Sequence, residues 1–74
     1  MDKERIKEIL KGQDPDKVKL KGVVDNEEPF EQSLTYFNLN GNTIEEMVDD
    51  LFETMERNPP ESMKLLFDEH EYEL

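Results

Sequence analysis

Apolar positions along this chain recur at two different periods. In residues 2–11, Ile6, Ile9 and Leu10 fall at i, i+3 and i+4, which predicts a short amphipathic helix with Gly12 placed to stop it. Glu4 and Glu8 are spaced to pair with Lys7 and Lys11 on its surface. After the turn GQDPD, residues 17–24 (KVKLKGVV) alternate: Val18, Leu20 and Val24 point one way with Gly22, and Lys17, Lys19 and Lys21 the other. A period of two predicts a half-buried strand whose lysine face suits a sheet edge. QSLTYFNL, residues 32–39, is a second candidate strand with its inward face undecided, since Leu34 and Tyr36 share one side and Phe37 and Leu39 the other. The two strands are expected to pair as an antiparallel hairpin across the acidic turn DNEEPFE, in a loop of about seven residues.

The strongest pattern follows. Thr43-Ile-Glu-Glu46 fits a capping box, in which Thr43 and Glu46 satisfy each other's exposed backbone N–H groups. Ile44, Met47, Val48, Leu51, Phe52 and Met55 then hold one apolar stripe at helical spacing, ending near Arg57. Asn58-Pro-Pro-Glu61 reads as a second helix start, leading to a final helix over about 60–69 that offers Met63, Leu66 and Phe67 to the core. The tail, about 70–74, is expected to fray. The expectation is therefore α+β in the order αββαα: one domain spanning 1–74, a small two-stranded antiparallel hairpin packed against amphipathic helices.

Composition narrows what such a domain does. Only 34% of the residues are hydrophobic, so the core is small, and no cysteine is present to staple it. The net charge is -11, and self-repulsion at that charge works against a compact state, which a homodimer or salt would offset. The charge is uneven: residues 1–21 hold seven basic groups against five acidic, whereas residues 22–74 hold two against fifteen. A field of this sign disfavours direct contact with nucleic acid or an anionic membrane. MDKERIKEIL has no apolar leader-like run, and no stretch has the length of a membrane span. The expected location is the cytoplasm, or the host cytoplasm if the chain is viral.

Catalytic chemistry finds little to work with. The one histidine, His70, reads as a solvated tail residue, and Ser33 and Ser62 have no nucleophile motif around them. With 20 acids, any carboxylate pair is uninformative, and a glycosidase needs a deeper cleft than a chain this short usually builds. Asn38-Leu-Asn-Gly-Asn42 misplaces the glycine of a calcium loop, and Asp14-Pro-Asp16 lacks the rest of one. The three glycines form no phosphate loop. The expectation is a non-enzymatic protein with no catalytic residues, no metal site and no cofactor.

Between Lys21 and Arg57 there is no basic residue, and ten carboxylates fill the gap. Six of them, Glu45, Glu46, Asp49, Asp50, Glu53 and Glu56, lie on the predicted helix opposite its apolar stripe. Like-charged neighbours at i, i+3 and i+4 cost about 0.2–0.5 kcal/mol each, so six such pairs cost roughly 1–3 kcal/mol. Glu45 to Glu56 spans about 16–17 Å of helix. That spacing is about one charge per 3.3 Å, close to the ~3.4 Å of a single DNA strand. Glu27, Glu28 and Glu31 in the preceding turn extend the field.

In size, charge, lack of cysteine and carboxylate rows such as EEMVDDLFETME, the chain resembles, at class level, the small acidic DNA-mimic proteins of bacteriophages. The resemblance implies an inhibitor that occupies the nucleic-acid site of a basic DNA-binding protein: a nucleoid protein of the HU type, a repair glycosylase, a nuclease or a CRISPR effector. The partner-binding residues would be Glu45, Glu46, Asp49, Asp50, Glu53 and Glu56 with Glu27, Glu28 and Glu31. The alternative is an adaptor or regulator that binds a partner through an apolar aromatic patch anchored by Phe30, Phe37 or Tyr72, with the acids serving solubility.

Overall fold

A computed structural model describes residues 2–24 and 26–74. Helix α1 (Lys3–Leu10) is capped by Asp2, whose carboxylate accepts the Arg5 N–H at 2.9 Å. Gly12, at φ +74, takes the left-handed turn just beyond its end, as the sequence predicts. A 3₁₀ turn at Pro15–Lys17 leads into strand β1 (Lys19–Val23), which pairs antiparallel with strand β2 (Phe30–Ser33). Helix α2 (Ile44–Arg57) begins at the expected capping box, with the Glu46 N–H donating to Thr43 Oγ1 and the Thr43 N–H to Glu46 Oε1, each at 3.2 Å.

The second half departs from the expected αββαα order, while the α+β class stands. Residues 60–69 form no helix. Strand β3 (Ser62–Phe67) and strand β4 (His70–Glu73) make a second antiparallel hairpin. The two-stranded sheet becomes four-stranded in the order β2-β1-β3-β4, and the segment expected to fray is its edge strand. Asn58 ends α2 instead of starting a helix, its N–H donating to Thr54 O at 2.9 Å. Asp68 and Glu69 form the two-residue turn at φ +51 and +63, the left-handed geometry that matches strand twist.

The predicted 32–39 strand is also shortened. Pairing extends past β2 only to the Leu34 N–H, which donates to Val18 O at 2.8 Å, and Leu34–Phe37 then coils into a 3₁₀ turn. Local hydroxyl bonds compete with the ladder there: Ser33 Oγ meets Thr35 Oγ1 at 3.0 Å, and Thr35 Oγ1 donates to Asp16 Oδ1 at 2.8 Å. Neither alternating face points inward: Leu34 is buried while Tyr36, on the same expected side, is exposed.

Register sorts the sheet into two faces. Leu20 stands beside Leu65, and Leu65 beside Tyr72, facing the helices. The next row, Glu31–Lys21–Lys64–Glu73, lies on the opposite face. Ile6 and Leu10 of α1, Ile44, Val48 and Leu51 of α2, and Val18, Leu20, Leu34 and Leu65 form one buried cluster between the helices and the inner face. The fold is therefore two layers, with one sheet face covered and the other carrying lysines bordered by acids.

Candidate functional site

The six acids of α2 divide by what they touch. Asp49 points at α1, and its Oδ1 and Oδ2 accept from Lys7 Nζ at 3.1 and 3.2 Å. Lys3 Nζ lies 3.4 Å from the same carboxylate. The hydrogen bond from Lys7 holds the Asp49 carboxyl below its usual range; partial desolvation opposes this and Lys3 adds to it. The same bond to Asp49 is the main reason the Lys7 ammonium is raised, with Glu4 and Glu45 contributing at longer range. Glu46 closes the capping box and also accepts the Asn42 N–H at 2.9 Å. Asp50 accepts the Asn40 N–H at 2.8 Å, tying the 36–40 segment to the helix.

Three of the nine predicted partner-binding acids, all among the six on α2, thus have internal roles. Glu45 is half-buried on the flank near Lys7. Glu53 and Glu56 are exposed, and among the described residues no ion pair reaches either. Glu27 and Glu28 are exposed in the β1–β2 connection. Glu31 sits beside Lys21 on the far face of the sheet, away from the helices. The sequence-predicted site is therefore not one surface: Glu31 is on one side of the molecule and α2 on the other. Asp25, one of the ten carboxylates in the basic-free run, lies outside the described residues.

A feature read only in outline from the sequence lies on the other flank of α2. A groove of about 620 Å³ runs between α2 and the 36–40 segment, floored by Leu20, Phe30 and Met63. Its size is in the range that accommodates a sizeable ligand or several side chains. Asp50, Thr54 and Arg57, at i, i+4 and i+7, form the helix-side rim. That rim is ordered by Thr54 Oγ1 donating to Asp50 O at 2.9 Å and Arg57 Nη2 donating to Thr54 Oγ1 at 3.4 Å. Leu51 and Met55 line the wall below.

Phe37, Leu39 and the exposed Tyr36 make up the opposite wall. Phe37 packs edge-on against Phe30 at 5.5 Å between ring centroids and against Tyr36 at 5.4 Å. Such edge-to-face contacts fix ring orientation as well as burying area. The structure brings Phe30 and Phe37, two of the three candidate aromatic anchors, into this one groove. Tyr72 is elsewhere, on β4, stacked on His70 at 6.1 Å. His70 is exposed, as the sequence reading expects, but it belongs to a strand, with Nδ1 2.7 Å from Asp68 O.

No described helix is long and apolar enough to cross a membrane. No protein-family model, curated protein or solved structure matches the chain.

Proposed function

We propose that this chain is a non-enzymatic protein-binding module that receives a partner segment in the groove between α2 and residues 36–40. The observation that carries this reading is the convergence of Phe30, Phe37 and exposed Tyr36 on a groove of about 620 Å³ with an apolar floor. Aromatic anchors in a preformed concavity account for most of the affinity in many interfaces. Phe30 and Phe37 also pack against the core, so Tyr36→Ala is the cleanest probe. The test is capture of partners from lysate at low and high salt by the native chain and by Tyr36→Ala. Groove-driven binding survives high salt and weakens in Tyr36→Ala; retention of every partner by that variant argues against the reading.

DNA mimicry is the second reading, favoured by the exposed carboxylates of Glu53 and Glu56, which no internal cation engages among the described residues. In this reading the chain inhibits a basic DNA-binding protein, of the HU nucleoid type for example, by occupying its nucleic-acid site. Its signature is different: binding falls steeply with salt, added DNA displaces the captured protein, and Glu53→Lys/Glu56→Lys abolishes capture. Indifference to both DNA and charge reversal would remove it.

A further inference from the structure

The groove flanks α2, which among the described residues has one α-helical neighbour, α1. α1 lies against the side of α2 that carries Asp49, through the Lys7–Asp49 bond. Asp50, Thr54 and Arg57 line the groove on the other side, where among the described residues no second α-helix lies beside α2. Gln32 there is exposed and Phe30 only half-buried. The inner face of β2 is therefore less covered than that of β1, where Leu20 is fully buried. From Asp50 to Arg57 the rim spans seven residue steps, about 10 Å or two helical turns.

Acids outnumber bases around the groove. Glu27 and Asp50 line the groove, and Glu28, Glu53 and Glu61 adjoin its lining in sequence or on the helix surface. Arg57 is the one basic residue among the lining groups. A second copy of this chain would bring a further -11 against these acids, so self-association is the poorest match.

Deepening the groove-binding reading, on which it rests, we infer that the occupant is an amphipathic basic helix of a partner protein. It lies alongside α2 as a third helix of the layer. Its apolar residues at i, i+4 and i+7 enter the groove over about 10 Å, and its lysines or arginines meet Glu27 and Asp50 in the lining and Glu28, Glu53 and Glu61 beside it. The Asn40–Asp50 hydrogen bond ties the two walls together, so the helix lies over the Thr54–Arg57 part of the lining.

The test uses three synthetic helical peptides of about 14 residues, long enough to hold helical structure. One has leucines at i, i+4 and i+7 with lysines on the other faces. A second keeps the leucines but replaces every lysine with glutamate. A third has the composition of the first with the leucines scattered around the helix. Binding is followed by backbone-amide NMR shifts and by titration. The expected result is that the first peptide binds, shifts amides in residues 36–40 and 50–57, and binds at least roughly ten-fold more tightly than either control. Thr54→Trp, which fills the groove from the helix side, and Tyr36→Lys, which removes the exposed aromatic and puts a cation on that wall, should each weaken it by a similar factor while melting like the native chain. If the glutamate peptide fills the groove as well as the lysine peptide, the basic-helix inference is overturned and the groove reading stands. If the scattered peptide binds equally well, or both variants bind unchanged, association is by charge alone and both readings fall. Binding by none of the peptides overturns the inference.

Discussion

Lys7 and Asp49, 42 residues apart, join α1 to α2 through two contacts of 3.1 and 3.2 Å at a half-buried seam. Each shifts the other toward its charged form: Asp49 is held below its ordinary 3.8 and Lys7 above its ordinary 10.5. The depressed carboxyl contributes stability that is fully present above the ordinary carboxylate value and is lost as pH falls through its lowered folded-state value. The raised ammonium contributes stability present below 10.5 and lost as pH rises through its raised value. Asp49→Asn should therefore melt a few degrees below the native chain at neutral pH. That gap should close in strong acid, where Asp49 is protonated in both the folded and unfolded chain. Thermal melts across this range check it, and a gap that persists in acid would place the effect elsewhere than in the ion pair.

The acidic row should split in the same way when its charges are reversed. Glu53 and Glu56 sit near the C-terminal end of α2, where the helix dipole disfavours negative charge, and each repels a neighbouring acid. Lysine at 53 would instead face Asp49 and Asp50 at i−4 and i−3. Glu53→Lys/Glu56→Lys should leave the fold intact and gain a few tenths to about 1 kcal/mol in urea denaturation. Asp49→Lys, placing a third cation beside Lys3 and Lys7, should destabilise it. If Glu53→Lys/Glu56→Lys unfolds the chain, these two residues have a structural role that the contacts do not show.

These contrasts show where the sequence was informative. The capping box and apolar stripe of α2 were legible because local hydrogen bonding and burial favour the same helix: Thr43 caps it while Ile44, Val48 and Leu51 fill the core. The second hairpin was not. Met63, Leu66 and Phe67 satisfy i, i+3, i+4, and Asn58-Pro-Pro-Glu61 imitates a helix start, yet the rival period of two was also present in Met63, Leu65 and Phe67. Tertiary context decided, because β3 pairs with β1 and buries Leu65 beside Leu20. Its turn, Asp68-Glu69, has no glycine or asparagine to announce two left-handed residues. For the site, composition revealed the acids but could not tell which were engaged by Lys3, Lys7 or the Asn40 N–H. Phe30 and Phe37 were named individually, but their meeting depends on the 3₁₀ turn that ends β2.

Gly22 is a sharp test of the β1–β3 pairing. A Cβ at this position would lie 2.5 Å from Ser62 O and 3.1 Å from Met63 Sδ. The methionine can move, but the carbonyl belongs to the paired strand. Gly22→Ala should therefore push the strands apart and cost about 1–3 kcal/mol, seen as a lower denaturant midpoint. An unchanged midpoint would mean that β1 and β3 are not paired in this register.

The edge strand gives the most direct test of the corrected topology. Tyr72 pairs with Leu65 in register and packs against the core, and the Leu74 N–H donates to Met63 O at 3.0 Å. Deleting residues 70–74 removes this cover and leaves β3 as a hydrophobic edge, the kind of edge that invites intermolecular pairing. The expected outcome is a fall in melting temperature on the order of ten degrees together with concentration-dependent aggregation. Tyr72→Ala should show a smaller fall without aggregation, because the backbone ladder between β3 and β4 remains. A fraying tail, which the sequence suggested for these residues, predicts no change in either variant, so calorimetry on the two separates a four-stranded sheet from a shorter one.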